Sequence, residues 1–317
     1  FIFAALLNSV SALLAAFAVY NYFFIAYCFA NLFFGIGLAF TAQYRFAAAE
    51  SVLKKYIPTT ISIILLSGLV SALVGPNLAT LTKNLINNHL YVGSYLLLSI
   101  LTFIPFCLFI FFKDEKINFE KKVIIGRNYF EILSQPRIFQ AISSAAIGYV
   151  IMSFLMTATP IEMHVIKKMS LNMTSFAIQM HIFGMFLPSL FTGNLIKKFG
   201  HNKIMTSGIF ILIVCIFVNF FDQHSYNYIF GLILLGVGWN FLFISGTSLL
   251  IISYKHDERF KVQGLNDFLV FSTQATGALA AGYMLYITNW EFINILCLPL
   301  LLFLLITTFY TKKITKK

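Results

Sequence analysis

The chain has 317 residues, 59% of them hydrophobic and 10% charged, with a mean hydropathy of +0.86 and 37 phenylalanines. Soluble domains carry about 25% charged residues, which argues against a water-soluble enzyme and leaves no room for a sizeable soluble domain. The net charge of +11 would suggest nucleic acid in a soluble protein, but here the basic residues occupy the gaps between apolar runs, where they orient helices in a bilayer, and no nucleic-acid partner is expected.

The first apolar run starts at Phe1. No charged segment or small-residue cleavage site precedes it, so it is not a complete signal peptide, and the chain is expected to lack its natural start. Nine more runs follow, giving approximately 1–19, 22–45, 59–81, 91–112, 139–161, 174–196, 204–221, 227–252, 263–286 and 291–310. Each is about as long as a helix needs to cross a hydrocarbon core of roughly 30 Å, so the fold class is an all-α polytopic membrane protein. Alternate gaps and the tail hold 18 of the basic residues, among them Lys54, Lys55, Lys197, Lys198, Lys203 and Lys255. The opposite side holds Lys83, Lys167 and Lys168. The positive-inside rule makes the lysine-rich side and the C-terminus cytoplasmic. Cys28, Cys107, Cys215 and Cys297 each fall inside an apolar run, without metal-ligand spacing, and read as small core hydrophobes.

One long charged loop, 113–138, separates a four-span remnant of an N-terminal bundle (1–112) from a six-helix bundle (139–317). Six plus six spans around such a linker is the plan of a transporter built from two parallel repeats, so two spans are expected before Phe1. The segment from Phe33 to Phe40, FFGIGLAF, repeats as LLGVGWNF from Leu234 to Phe241, which supports the alignment of halves.

Three stretches carry a family resemblance. Gly193, Lys198, Gly200 and Lys203, between the sixth and seventh runs, follow a G-x-L-x-D-[RK]-x-G-[RK]-[RK] loop, with departures at Lys197, which replaces the Asp, and at His201 and Asn202. Gly68, Gly75 and Pro76 look like a helix-packing Gly-Pro motif. The region from Gly236 to Phe271 contains GVGWNFLF and QGLNDF. Together they resemble the major facilitator superfamily, and within it a group of bacterial members linked to uptake of riboflavin or other small metabolites. The resemblance implies a two-bundle fold whose spans here correspond to helices 3–12 of twelve, alternating access about a midplane site, a small organic solute, an ion gradient of H⁺ or Na⁺ as the energy source, and a monomer. The basic residue that family antiporters carry in helix 4 is replaced by Asn31.

In that family the second, fifth and eighth runs would face the central cavity, which selects Gln43, Tyr44, Tyr149, Ser153, Thr157, Trp239 and Asn240 as candidate substrate-binding residues. An uncharged site with aromatic walls and a few amides suits a flat or amphiphilic solute; the alternative for Asn240 is an interhelical hydrogen bond. Ionisable groups are costly within lipid, so Arg45, Glu50, His181 and Asp267 are the candidates for coupling and gating. Asp267, near the start of its run, is expected to act as a cytoplasmic latch, and His181 is the mid-span group able to exchange protons near neutrality. Glu162 and His164 read as a solvated outer rim.

No catalytic, nucleotide-binding or metal-ligand motif is present in the sequence, so neither an enzyme nor a cofactor is expected. The resulting expectation is a secondary transporter working by alternating access, with uptake favoured. An exporter of the same fold, a multi-pass membrane enzyme such as an acyltransferase, and an inactive fragment remain as alternatives.

Overall fold

A computed structural model describes residues 1–111, 127–221 and 224–314, apart from the side chain of Pro76. The helices are α1 (Ile2–Tyr20), α2 (Phe24–Ala42), α3 (Tyr44–Glu50), α4 (Ile57–Thr82), α5 (Val92–Ile110), α6 (Tyr129–Leu133), α7 (Pro136–Pro160), α8 (Leu171–Phe186), α9 (Ser189–Phe199), α10 (His201–Phe220), α11 (Ser225–Ile251), α12 (Arg259–Ile287), α13 (Trp290–Ile295) and α14 (Leu298–Ile314). Among the described residues ten helical segments are long and apolar enough to cross a membrane. They correspond one for one to the ten runs read from the sequence, with ends that differ by up to seven residues.

Local chemistry marks the breaks. Pro136 opens α7 at the position where a missing N–H costs nothing, and Pro160 ends it in a π turn, Ile161–Ile166, whose wider ring accommodates the lost donor. Pro188 divides α8 from α9, and Gly200, at φ +84°, makes the left-handed turn into α10 that few other residues adopt. Asn128 and Glu131 cap α6 reciprocally.

The described chain forms two compact units. The first takes Phe1–Ala47 and the residues from Val70 through α5. In it α1 packs on α2 and α5 through a face of small residues, Ala4, Ala5, Ala12 and Ala16. Ser9 and Ser99 each donate to the other's backbone carbonyl at 3.0 Å, a polar fastening between two apolar helices. Cys28 and Cys107 of this unit are exposed, which corrects their expected place in a core, whereas Cys215 and Cys297 of the second unit are buried. Membrane helices carry apolar residues on outward faces too, so an apolar run does not by itself bury its cysteine.

The second unit takes Ala48–Leu69 and the residues from Arg127 onward. At its centre α11 packs on α7, α8 and α10, while α12 and α14 lie against α7. The first half of α4 therefore packs with the later helices, unlike the division at 112–139 drawn from the sequence. Close approach explains it. A Cβ on Gly193 of α9 would meet the Pro58 carbonyl and Thr59 Cα at 2.7 Å, and one on Gly68 would meet Phe186 at 2.5 Å.

The sequence repeat does not carry equal packing. Gly236 lies against the backbone of α8, with His181 O and Met185 N each 2.6 Å from where its Cβ would be, whereas its counterpart Gly35 has nothing within 4 Å.

Candidate functional site

An aromatic cluster stands on the second unit. Tyr149 of α7 meets Trp239 edge-on at 5.2 Å and Phe243 at 5.1 Å, both on α11. Trp239 and Phe243 stack at 5.1 Å with an 11° tilt. Phe186 of α8 and Phe271 of α12 extend the cluster, at 6.2 Å from Trp239 and 6.1 Å from Tyr149. Trp239 is 1% exposed, but Tyr149, Phe186 and Phe271 are partly exposed, so the cluster has an accessible edge over a packed base. Offset and edge-to-face rings of this kind add about 0.5–1.5 kcal/mol per pair beyond area burial. The Trp239 indole N–H has no hydrogen-bond partner among the described residues, and an unpaired buried donor is costly. It lies in the packed base of the cluster, away from the exposed edge.

Asn240, next to Trp239, turns the other way. Its amide donates to the Met185 carbonyl and Ser189 Oγ, each at 2.7 Å, and its Oδ1 accepts from Thr192 Oγ1 at 2.7 Å. Asn240 thus pins α11 to the break between α8 and α9, where Pro188 has freed backbone groups. That is the interhelical role weighed against solute binding in the sequence. On α7, Ser153 is buried and Thr157 exposed, each one turn beyond the last on the face of Tyr149. Gln43 and Tyr44 belong to the first unit, where Tyr44 packs edge-on against Phe1 at 4.9 Å and Phe109 at 5.3 Å.

The ionisable candidates separate into distinct places. Glu50 gathers three partners: Oε1 accepts from Tyr254 Oη at 2.6 Å and Gln263 Nε2 at 2.7 Å, and Oε2 faces the Arg259 guanidinium at 3.5 Å. Burial, and then the bond to Glu50, push the Tyr254 hydroxyl above the ordinary phenol range, so it remains a donor at physiological pH. Asp267, one helical turn after Gln263, is buried and accepts from Asn266 at 2.9 Å. Arg45 is buried in the first unit with its guanidinium 4.6 Å from the centre of the Phe46 ring. His181 is fully buried, its Nδ1 2.8 Å from the Leu232 carbonyl. Its Nε2 has no partner among the described residues.

Glu162 is a buried group. It is 3% exposed, not part of a solvated rim, with Tyr228 Oη at 3.4 Å and Lys167 Nζ at 3.8 Å. The π turn after Pro160 rotates it inward, and Pro160 two residues earlier was the one signal for this in the sequence. Among the described residues no three His, Cys, Asp or Glu side chains converge as metal ligands. Of the signature loop, Gly193 packs on α4 and Gly200 makes the turn. Lys198 and Lys203 both lie over the Phe199 ring, at 5.3 and 5.9 Å from its centre. Gly75 is open, and the Pro76 side chain lies outside the described residues.

Comparison with known proteins places this architecture. The riboflavin transporter RfnT of Brucella anthropi is 32% identical over 308 residues, covering 96% of this chain and 77% of RfnT. The uncharacterized MFS-type transporter YddS of Bacillus subtilis is 28% identical over all of this chain and 73% of its own length. Two solved structures share the fold at low identity. A bacterial homologue of the iron transporter ferroportin in its outward-facing state has a TM-score of 0.73 at 15% identity, over 98% of this chain and 83% of that one. The fucose:proton symporter FucP of E. coli has a TM-score of 0.70 at 14% identity, over 98% and 82%. With the family model for the Major Facilitator Superfamily matching residues 1–272 and 141–317, and a relative 32% identical over 96% of this chain, the chain belongs to the Major Facilitator Superfamily.

Proposed function

We propose that the protein takes up a small planar organic solute by alternating access, with riboflavin the first candidate, and leaves it chemically unchanged. The supporting observation is the Tyr149–Trp239–Phe243 cluster, whose partly exposed edge at Tyr149 offers aromatic contact to a flat heteroaromatic ring. The likeness to RfnT over nearly the whole chain points to the same solute class. The protein works as a monomer in a bacterial plasma membrane, with the lysine-rich side and the C-terminus cytoplasmic, driven by an H⁺ or Na⁺ gradient.

The test is saturable uptake of labelled riboflavin into riboflavin-requiring cells expressing the full gene. Tyr149→Ala should raise KM about 2- to 12-fold, the equivalent of one aromatic pair, while Tyr149→Phe keeps most of the activity. Uptake no greater than in vector-only cells would reject riboflavin. Collapse by a protonophore would identify H⁺ as the coupling ion, and His181→Ala should then flatten the pH dependence. Wild-type behaviour of that variant would remove His181 as the carrier.

Glu50, rather than Asp267 alone, supplies the gating latch in this reading, because its three partners fasten the end of α3 to Tyr254 and to Arg259 and Gln263 in the first turns of α12. Hydrogen bonds to charged groups contribute about 1.5–3 kcal/mol. Glu50→Gln should therefore shift the opening equilibrium on the lysine-rich side by roughly 10- to 100-fold, read as faster labelling of cysteines introduced there. Labelling rates equal to those of the unsubstituted protein would rule out the latch.

A further inference from the structure

The head of α4 and the end of α9 meet in a basic cleft of about 400 Å³. Lys54, Lys55 and Tyr56 of the short 3₁₀ turn before α4 form one wall; Lys197 in the last turn of α9 and His201, which opens α10, form the other. Lys55 and Lys197 each hold their ammonium 4.8 Å from the centre of the same Tyr56 ring, which brings the two charges within about one Debye length, ~10 Å at 0.1 M salt. None of Lys54, Lys55, Lys197, Lys198 or Lys203 has a carboxylate partner among the described residues. The cleft therefore concentrates positive charge across a joint between two helices, and that charge opposes closure. Yet the joint is closed, because Gly193 admits the α4 backbone at Pro58 and Thr59.

An anion between the walls resolves the conflict. We propose that this cleft binds the phosphate of an anionic phospholipid headgroup, and that the bound headgroup holds the head of α4 against the end of α9. A phospholipid fits better than a free anion because the surroundings are amphipathic. Beside the cleft Phe199 is exposed on the surface with Lys198 and Lys203 over its ring, and Pro58 and Ile196 line the cleft itself. Aromatic rings flanked by lysines whose stems lie along apolar surface are the chemistry of headgroup depth. Lys197 stands where the resemblance predicts an Asp, so the loop presents a cation to the membrane surface instead of an acid. Headgroup binding here is independent of which solute is carried.

The test is lipid retention by the purified full-length protein, measured by native mass spectrometry with phosphatidylglycerol and phosphatidylcholine as competing probes. The unsubstituted protein should retain phosphatidylglycerol. A lysine near a negative lipid surface is worth about fivefold in affinity, so Lys54→Gln, Lys55→Gln and Lys197→Gln together should weaken retention roughly a hundredfold. Arginine at the same three positions should preserve it and shows that the site tolerates substitution. Lys312→Gln with Lys313→Gln, which removes charge from exposed positions in α14, should leave retention unchanged. Hydrogen exchange in 54–60 and 197–203 should slow together when phosphatidylglycerol is added. Undiminished retention by the glutamine variant, an equal loss from the α14 variant, or unaltered exchange in both segments would overturn the proposal. Displacement of the lipid by millimolar inorganic phosphate would assign the cleft to a free anion and overturn it as well.

Discussion

Replacing Gly236 with valine is expected to abolish accumulation of folded protein. A Cβ there would lie 2.6 Å from the His181 carbonyl oxygen and 2.6 Å from the Met185 nitrogen. Both are backbone atoms of α8, which cannot rotate away as a side-chain tip can, so α8 and α11 must move apart. Overpacking costs about 1–3 kcal/mol where side chains can yield, and more where backbone must shift. Separation would also stretch the Asn240 bonds to Met185 and Ser189 and the His181 contact with Leu232. Fluorescence-detected size exclusion and thermal unfolding in detergent read the effect directly. Gly264→Ala is the control: it stands exposed in α12 with nothing within 4 Å, and alanine should stabilise the helix by up to ~1 kcal/mol. A valine variant that melts with the unsubstituted protein would show that the helices do not cross so closely.

Arg127→Met is expected to destabilise the second unit by about 1.5–3 kcal/mol, the worth of hydrogen bonds to a charged group. Glu258 is 5% exposed. It takes Arg127 Nε at 2.8 Å on Oε2, the second guanidinium nitrogen on Oε1, and the Lys255 backbone N–H at 3.0 Å. Lys261 in turn donates to the Arg127 carbonyl at 2.6 Å. The pair thus ties the chain entering α6 to the turn before α12. Adding Glu258→Gln to Arg127→Met should recover much of the loss, since a neutral amide is cheaper to bury than an unpaired carboxylate. Equal stability of the single and double variants, measured as a cycle of thermal unfolding experiments, would count against a buried ion pair.

The candidate residues differ in how far local pattern foretold their setting. The family likeness puts Trp239 and Tyr149 in one candidate set, and in the structure their rings lie 5.2 Å apart. Asn240 was named for being an amide in an apolar run, and its three hydrogen bonds satisfy that demand within the bundle. Glu162 was misplaced because a π turn shifts the register by one residue, and the 3.6-residue period assumed for the run cannot anticipate it. Glu50 was recognised as an ionisable group at a helix end, but its partners Tyr254, Gln263 and Arg259 lie some two hundred residues away.

The existence and order of the ten spans and the family were determined by the sequence alone. A membrane helix satisfies its own backbone hydrogen bonds, so whether a run of about twenty apolar residues spans depends on that run and little else. Which faces meet was decided only by the tertiary structure. In lipid the outward and the packed faces of a helix are both apolar, so no periodicity marks the contact side, and association turns on close approach at small residues and on a few buried polar groups. That is why Gly236 and Gly35, alike in sequence, part company in the fold, and why the head of α4 packs with helices that follow it by more than a hundred residues.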